Sequence, residues 1–210
     1  MKNYIKKNIH IFPIVILSII FGLIVYKNLA VANKKTRIDR ENLTNIYYQN
    51  NVCLDDNVKK IGLVFVDECG NRDDEVCIVQ ATLDFVTRIE YKVNNGTVKK
   101  PIDTITKNYG DCDDKSNLLS SILKSLDIEN YIVIVPNHAF VIVQIQNDLH
   151  KKLTRQKGLY INGQKFYILE TTAKNSKIGF ENIKNISDIK AIIEPFENKK
   201  IDILDMEYKI

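Results

Sequence analysis

The sequence predicts an α+β domain with a mainly antiparallel sheet, placed behind an N-terminal transmembrane helix. Two observations predict it. Apolar residues recur at helical spacing through 73–126, whereas the β-branched, strand-like runs all follow from 131 onward, and helices first with strands afterwards is the α+β order. Residues 8–26 contain no Lys, Arg, Asp or Glu.

That uncharged run opens the chain. As a helix it would span roughly 28 Å at about 1.5 Å per residue, close to the hydrocarbon core of a bilayer. Lys2, Lys6 and Lys7 precede it and favour an inside N-terminus; Lys27, Lys34, Lys35 and Arg37 follow it. The alternative is a secretory signal, since Ala30-Val31-Ala32 is an A-x-A pattern, but the run is long for one and Lys27 stands before the site. Residues 1–32 are therefore read as an uncleaved anchor or signal. Both readings export the rest of the chain, and the uncleaved anchor, which is preferred, gives a single-pass membrane location with an extracytoplasmic domain.

Residues 33–60 are polar and charged and read as a juxtamembrane stalk, helical about Ile38 to Tyr48. The folded domain is expected over 61–210, its first core residue near Val58. Val76, Val79, Leu83, Val86 and Ile89 share one stripe and predict a core-facing helix within Asp73 to Tyr91. Pro101 opens a short helix through Tyr109, broken at Gly110. Leu119, Ile122, Leu123 and Leu126 predict a third helix, with Asp111 its N-cap and Cys112 in its first turn. Tyr131 to Val135 and Ala139 to Ile145 are strands about a Pro136-Asn137 turn. Residues 147–158 read as loop, Lys165 to Leu169 as a third strand and Ile189 to Ile193 as a fourth.

Charge excludes one class of partner. Residues 1–40 carry eight Lys or Arg against one Asp, +7, so residues 41–210 hold −3 of the total of +4. No basic stripe for nucleic acid remains in the body. Cys53, Cys69 and Cys77 match no zinc spacing. They are open to one disulfide, with Cys69–Cys77 closing the shortest loop, or to burial as small apolar residues.

Cys112 and His138 carry the chemistry. A thiol in a first helical turn meets unpaired backbone N–H groups and the positive end of the dipole, which favour the nucleophilic thiolate and can donate to an oxyanion. Asp111, Asp113 and Asp114 oppose that charge unless an imidazolium answers it. Of three histidines, His10 lies in the apolar run and His150 in a polar loop, while His138 opens a strand after a turn and suits a general base. An antiparallel pairing about a turn near Thr154 sets His138 opposite Glu170, whose carboxylate can orient the imidazole.

Asn108 to Ser116 (NYGDCDDKS), Asn137 to Phe140 (NHAF) and Phe166 to Thr172 (FYILETT) resemble, in order, the three motifs of the transglutaminase-like superfamily, and the resemblance covers roughly 75–180. It implies a papain-like core, with helices carrying the cysteine packed on an antiparallel sheet carrying the histidine and acid. It also implies a Cys112-His138-Glu170 triad acting on protein or peptide amides at the cell surface. The acid is Glu where the family more often has Asp. With no Trp in the chain, Tyr109 and Gln80 are the candidates for oxyanion donor or cleft wall.

Three other readings stand beside a cysteine peptidase: a cross-linking acyl-transferase, a non-catalytic peptide-binding domain, and a metal site. Zinc lacks paired ligands. Calcium could use Asp111, Asp113 and Asp114, although an acidic helix cap is the preferred account and the triad requires no cofactor.

Overall fold

In the computed structural model the described residues are 55–94, 98–146, 158–180 and most of 183–209. The expected membrane helix, the stalk helix about Ile38 to Tyr48, Cys53, His10 and His150 lie outside them. Among the described residues no helix is long and apolar enough to cross a membrane.

Helix α1 (Asp56–Cys69) comes first, and it crosses the boundary drawn between residues 60 and 61. Its sequence signals are the Asp55 side chain capping the N–H of Asn57 and Gly70 ending the helix at φ 67°. Helix α2 (Glu75–Arg88) is shorter than the expected 73–91, because Ile89 turns extended and Glu90–Tyr91 forms strand β1. Helix α3 (Pro101–Lys107) begins on its proline. It stops at Asn108 (φ 53°) rather than at Gly110, since Tyr109–Gly110 is drawn off as strand β2, parallel to β1. Helix α4 (Cys112–Ser125) matches the expectation, with Asp111 as its cap.

The sheet follows: β3 (Asn130–Val135), β4 (His138–Val143), β5 (Gly158–Ile161), β6 (Gln164–Leu169), β7 (Ala191–Glu194), β8 (Lys199–Lys200) and β9 (Met206–Lys209). Their order is β8-β7-β3-β4-β6-β5-β9, antiparallel throughout. The architecture is α+β. Gly158, read as loop, begins β5, which makes a hairpin with β6.

Alternation along the strands divides the core in two. Ile132, Val141, Leu169 and Ile193 pack with Leu83, Leu119 and Leu123 from the helices. The residues between them, Val133, Ile142, Ile168 and Ile192, face the other way, where Ile183, Ile201 and Met206 cover them. Helix α4 is the central element of the first layer and touches α1, α2, α3, β3 and β4. Ser116 Oγ donates to Ala139 O (3.2 Å), which ties the second turn of α4 to the start of β4. That tie brings the cysteine end of one element to the histidine end of the other.

Candidate active site

Cys112 is the first residue of α4, half-buried, and the one free cysteine among the described residues. The turn before it is set by a capping box: Asp111 Oδ1 accepts the Asp114 N–H (3.2 Å) and Asp114 Oδ2 accepts the Asp111 N–H (3.3 Å). The N–H of Cys112, at the first helical position, has no intrahelical acceptor. Gly110 is required immediately upstream: a Cβ there would sit 2.8 Å from Asp114 Cβ and 3.2 Å from Thr104 Cγ2.

The three acids flanking the thiol are not alike. Asp114 is fully buried, its Oδ2 accepting from Lys99 Nζ (2.6 Å) and Asn94 Nδ2 (2.6 Å), its Oδ1 from the Lys99 N–H (2.7 Å). Asp111 Oδ2 accepts the Asn94 N–H (3.2 Å). Asp114 is therefore a neutralised anchor for Asn94 and Lys99, and less of a burden on a thiolate than its sequence position implies. The oxygens of Asp111 and Asp114, two of the three acids read as calcium ligands, already accept from nitrogen. Among the described residues no group of three acids, histidines or cysteines is placed to hold a metal ion.

His138 begins β4 after a turn in which Asn137 takes φ 60°. Its Nε2 lies 2.8 Å from Glu170 Oε2, and the Cys112 sulfur is near enough to act on its titration. With Nε2 committed to Glu170, Nδ1 is the nitrogen left for the sulfur. Interaction with Cys112, then the hydrogen bond to Glu170, raise the His138 pKa to about 10 against the opposing effect of burial. Burial pushes the Glu170 carboxyl up, but the hydrogen bonds from His138 and Thr172 outweigh it and bring the pKa down to about 2. Thr172 fixes Oε1 twice, through its N–H (2.8 Å) and its hydroxyl (2.6 Å). Sequence reasoning missed that clamp, although Glu170-Thr171-Thr172 is a local turn pattern in which a hydroxyl two residues on can reach the carboxylate.

Glu170 meets His138 in a register other than the expected one. Val141 pairs with Leu169 and Ile142 with Ile168, and continued by one residue this sets Glu170 opposite Phe140 rather than His138. The turn near Thr154 is not a simple hairpin either, since β5 intervenes. The error is two residues, an even number, so both side chains keep the same face and meet on the diagonal.

The two residues read as oxyanion donor or cleft wall have these surroundings. The Tyr109 ring lies beneath the ammonium groups of Lys99 (4.3 Å to centroid) and Lys92 (4.9 Å). Gln80 bridges α2 to the loop after Glu170: its Nε2 donates to Ser176 O (3.0 Å) and Asp84 Oδ1 (2.8 Å), and its Oε1 accepts the Ile178 N–H (3.1 Å). The phenol that senses the site is Tyr91. Its pKa is raised by partial burial, then by the negative charges of Cys112, Asp111, Asp113 and Glu170. Its only sequence signal was its place at the end of a helical run.

Beneath the site lies Lys115, 1 % exposed, one turn along α4 from Cys112. Its amine donates to Ile89 O (2.9 Å) at the end of α2, and burial pulls its pKa down to about 8 in spite of Glu170.

No family model matches this sequence, and no curated protein matches it. Among solved structures the chain is similar to a candidate cysteine protease from Cytophaga hutchinsonii, at 19% identity and TM-score 0.42. It is also similar to a candidate protease from Parabacteroides distasonis, at 12% identity and TM-score 0.37. The likeness covers 60% of this chain in both cases, and 40% and 28% of the respective neighbours.

Proposed function

We propose that this chain is a membrane-anchored, extracytoplasmic cysteine peptidase or amide hydrolase of transglutaminase-like type, acting through a thioester acyl-enzyme. The observation that carries the proposal is the His138 imidazole, held by a buried Glu170 at 2.8 Å and acted on electrostatically by the Cys112 sulfur. Export is supported by the Cys69–Cys77 disulfide, a bond of oxidising compartments.

The steps follow from the geometry. Cys112 thiolate attacks a substrate amide carbonyl, and the electron pair moves to oxygen, where the Cys112 N–H can donate. The tetrahedral adduct collapses as His138 gives its proton to the leaving amine, which departs and leaves a thioester. Water then attacks that thioester while His138 takes its proton, releasing the acid and the free thiol. Glu170 holds the ring and stabilises its charge throughout. The reaction as drawn calls for no metal.

Alkylation of the full-length chain by iodoacetamide, with adducts located by peptide mass, tests the nucleophile. Cys112 is expected to react at pH 6 at least tenfold faster than glutathione, and His138→Ala to slow it on the order of 10²-fold. A wild-type rate no faster than glutathione, or one indifferent to His138, would refute the assignment. Once a substrate is in hand, product mass separates hydrolysis (gain of water) from amine transfer (loss of ammonia with the amine added).

A further inference from the structure

The chain beside the nucleophile presents two apolar side chains to solvent. Segment 90–94 runs along 108–111: Glu90 N–H donates to Asn108 O (3.3 Å), Lys92 N–H to Gly110 O (3.1 Å) and Asn94 N–H to Asp111 Oδ2 (3.2 Å). Tyr91 is paired with Gly110, two residues before Cys112. Successive side chains of an extended segment point to opposite sides. Lys92 turns toward the Tyr109 ring and Asn94 reaches the buried Asp114, so both lie on the side of 108–114. Tyr91 and Val93 face the other way, 50% and 66% exposed.

Three features separate this pair from scattered surface apolar residues. The segment is held firmly at both ends, by Lys115 under Ile89 and by Asn94 on Asp111 and Asp114. Tyr91 is paired with Gly110, and the same register continued by two residues sets Val93 beside Cys112. Carboxylates stand close by, Asp111 one residue beyond Gly110 and Asp113 one residue beyond Cys112. An apolar ledge with carboxylates beside it suits a neutral, bulky substituent and disfavours an acidic one.

We infer that Tyr91 and Val93 form the subsite that receives a large apolar side chain of the substrate, beside the amide that Cys112 attacks. The inference rests on the proposed peptidase function, and it adds substrate selectivity.

The test uses acylated dipeptide chloromethyl ketones carrying Phe, Gly or Asp at each of the two positions in turn. Each rate of adduct formation at Cys112 of the full-length chain is divided by that of iodoacetamide, which has no side chain to place. At one of the two positions Phe is expected to exceed Gly by on the order of tenfold or more, with Asp below Gly. Tyr91→Ser with Val93→Ser is expected to bring the Phe and Gly ratios to within about twofold of each other. Val93→Lys is expected to lift Asp above Gly at that same position. Equal ratios for the three probes in the wild type, or a Phe preference that survives the double substitution, overturns the subsite while the thiol chemistry stands. A Cys112 inert to iodoacetamide as well sinks the peptidase reading and the subsite with it.

Discussion

Glu170 is the residue on which the site depends. Buried carboxylates ordinarily rise in pKa, and this one falls because three donors from two residues converge on its oxygens. Its partner His138 moves the other way. The signs define a window. Glu170, lowered from 4.5 to about 2, stabilises the fold above pH 4.5 and loses that contribution as pH falls toward 2. His138, raised from 6.5 to about 10, contributes fully below pH 6.5 and loses it as pH rises through 10. The pair therefore stabilises most between pH 4.5 and 6.5. Glu170→Gln is expected to lower the unfolding free energy most in that window, by about 1–3 kcal/mol, with the difference narrowing toward pH 2 and pH 10. The His138 titration followed by NMR should fall back toward 6.5. A His138 pKa unmoved by Glu170→Gln would show that the carboxylate does not support the imidazolium. The same substitution is expected to cost on the order of 10²- to 10⁴-fold in kcat/KM for amide cleavage.

Among the elements, legibility followed the length and regularity of the apolar period. Helices α2 and α4 carry four or more core positions at helical spacing, and strands β3, β4 and β6 alternate between two buried layers, so all five were readable. Helix α1 was not. Its buried positions are Val58, Gly62 and Phe65, and the glycine is there because a Cβ would come 3.0 Å from Leu126 Cγ, while Leu63 and Val64 are exposed. A stripe with a glycine in its middle and apolar residues off it does not read as amphipathic. Strands β5, β8 and β9 have two to four residues each, too few to show a period, and β9 owes its pairing to β5, distant in sequence. The cysteine and histidine were legible because local signals mark them, a capping residue and a turn. The roles of Asp114 and Thr172 depend on contacts that spacing does not encode. The Lys99–Asp114 pair shows what such a contact is worth. Both side chains are nearly dry, so removing one leaves an uncompensated charge against the cap of α4. Lys99→Met is expected to cost about 3–5 kcal/mol in urea unfolding, and Lys99→Met with Asp114→Leu to recover part of it. A single substitution costing under about 1 kcal/mol would mean that water already screens the pair.

At the scale of the molecule, chemistry and covalent reinforcement sit at opposite ends of α4. Cys112 opens the helix, and fourteen residues at about 1.5 Å each carry it roughly 20 Å to Leu126. A cleft at that far end is lined by Val66, Arg72, Glu75, Leu126 and Asp127, and the Cys69–Cys77 bond joins α1 to the first turn of α2 there. Of the pairings the three upstream cysteines allow, the one closing the shortest loop is formed. Its loop spans eight residues, for which chain entropy gives about 2.5 kcal/mol at 25 °C. The position of the bond predicts a separation of effects. Cys69→Ser with Cys77→Ser is expected to lower unfolding free energy by about 2–3 kcal/mol, read from urea melts. The alkylation rate of Cys112 at 25 °C should remain within about twofold of wild type, because the capping box, the Lys99–Asp114 pair and the His138–Glu170 bond all lie at the other end. A parallel loss of stability and thiol reactivity would instead mean that α4 transmits strain along its length and that the bond helps to set the cysteine in place.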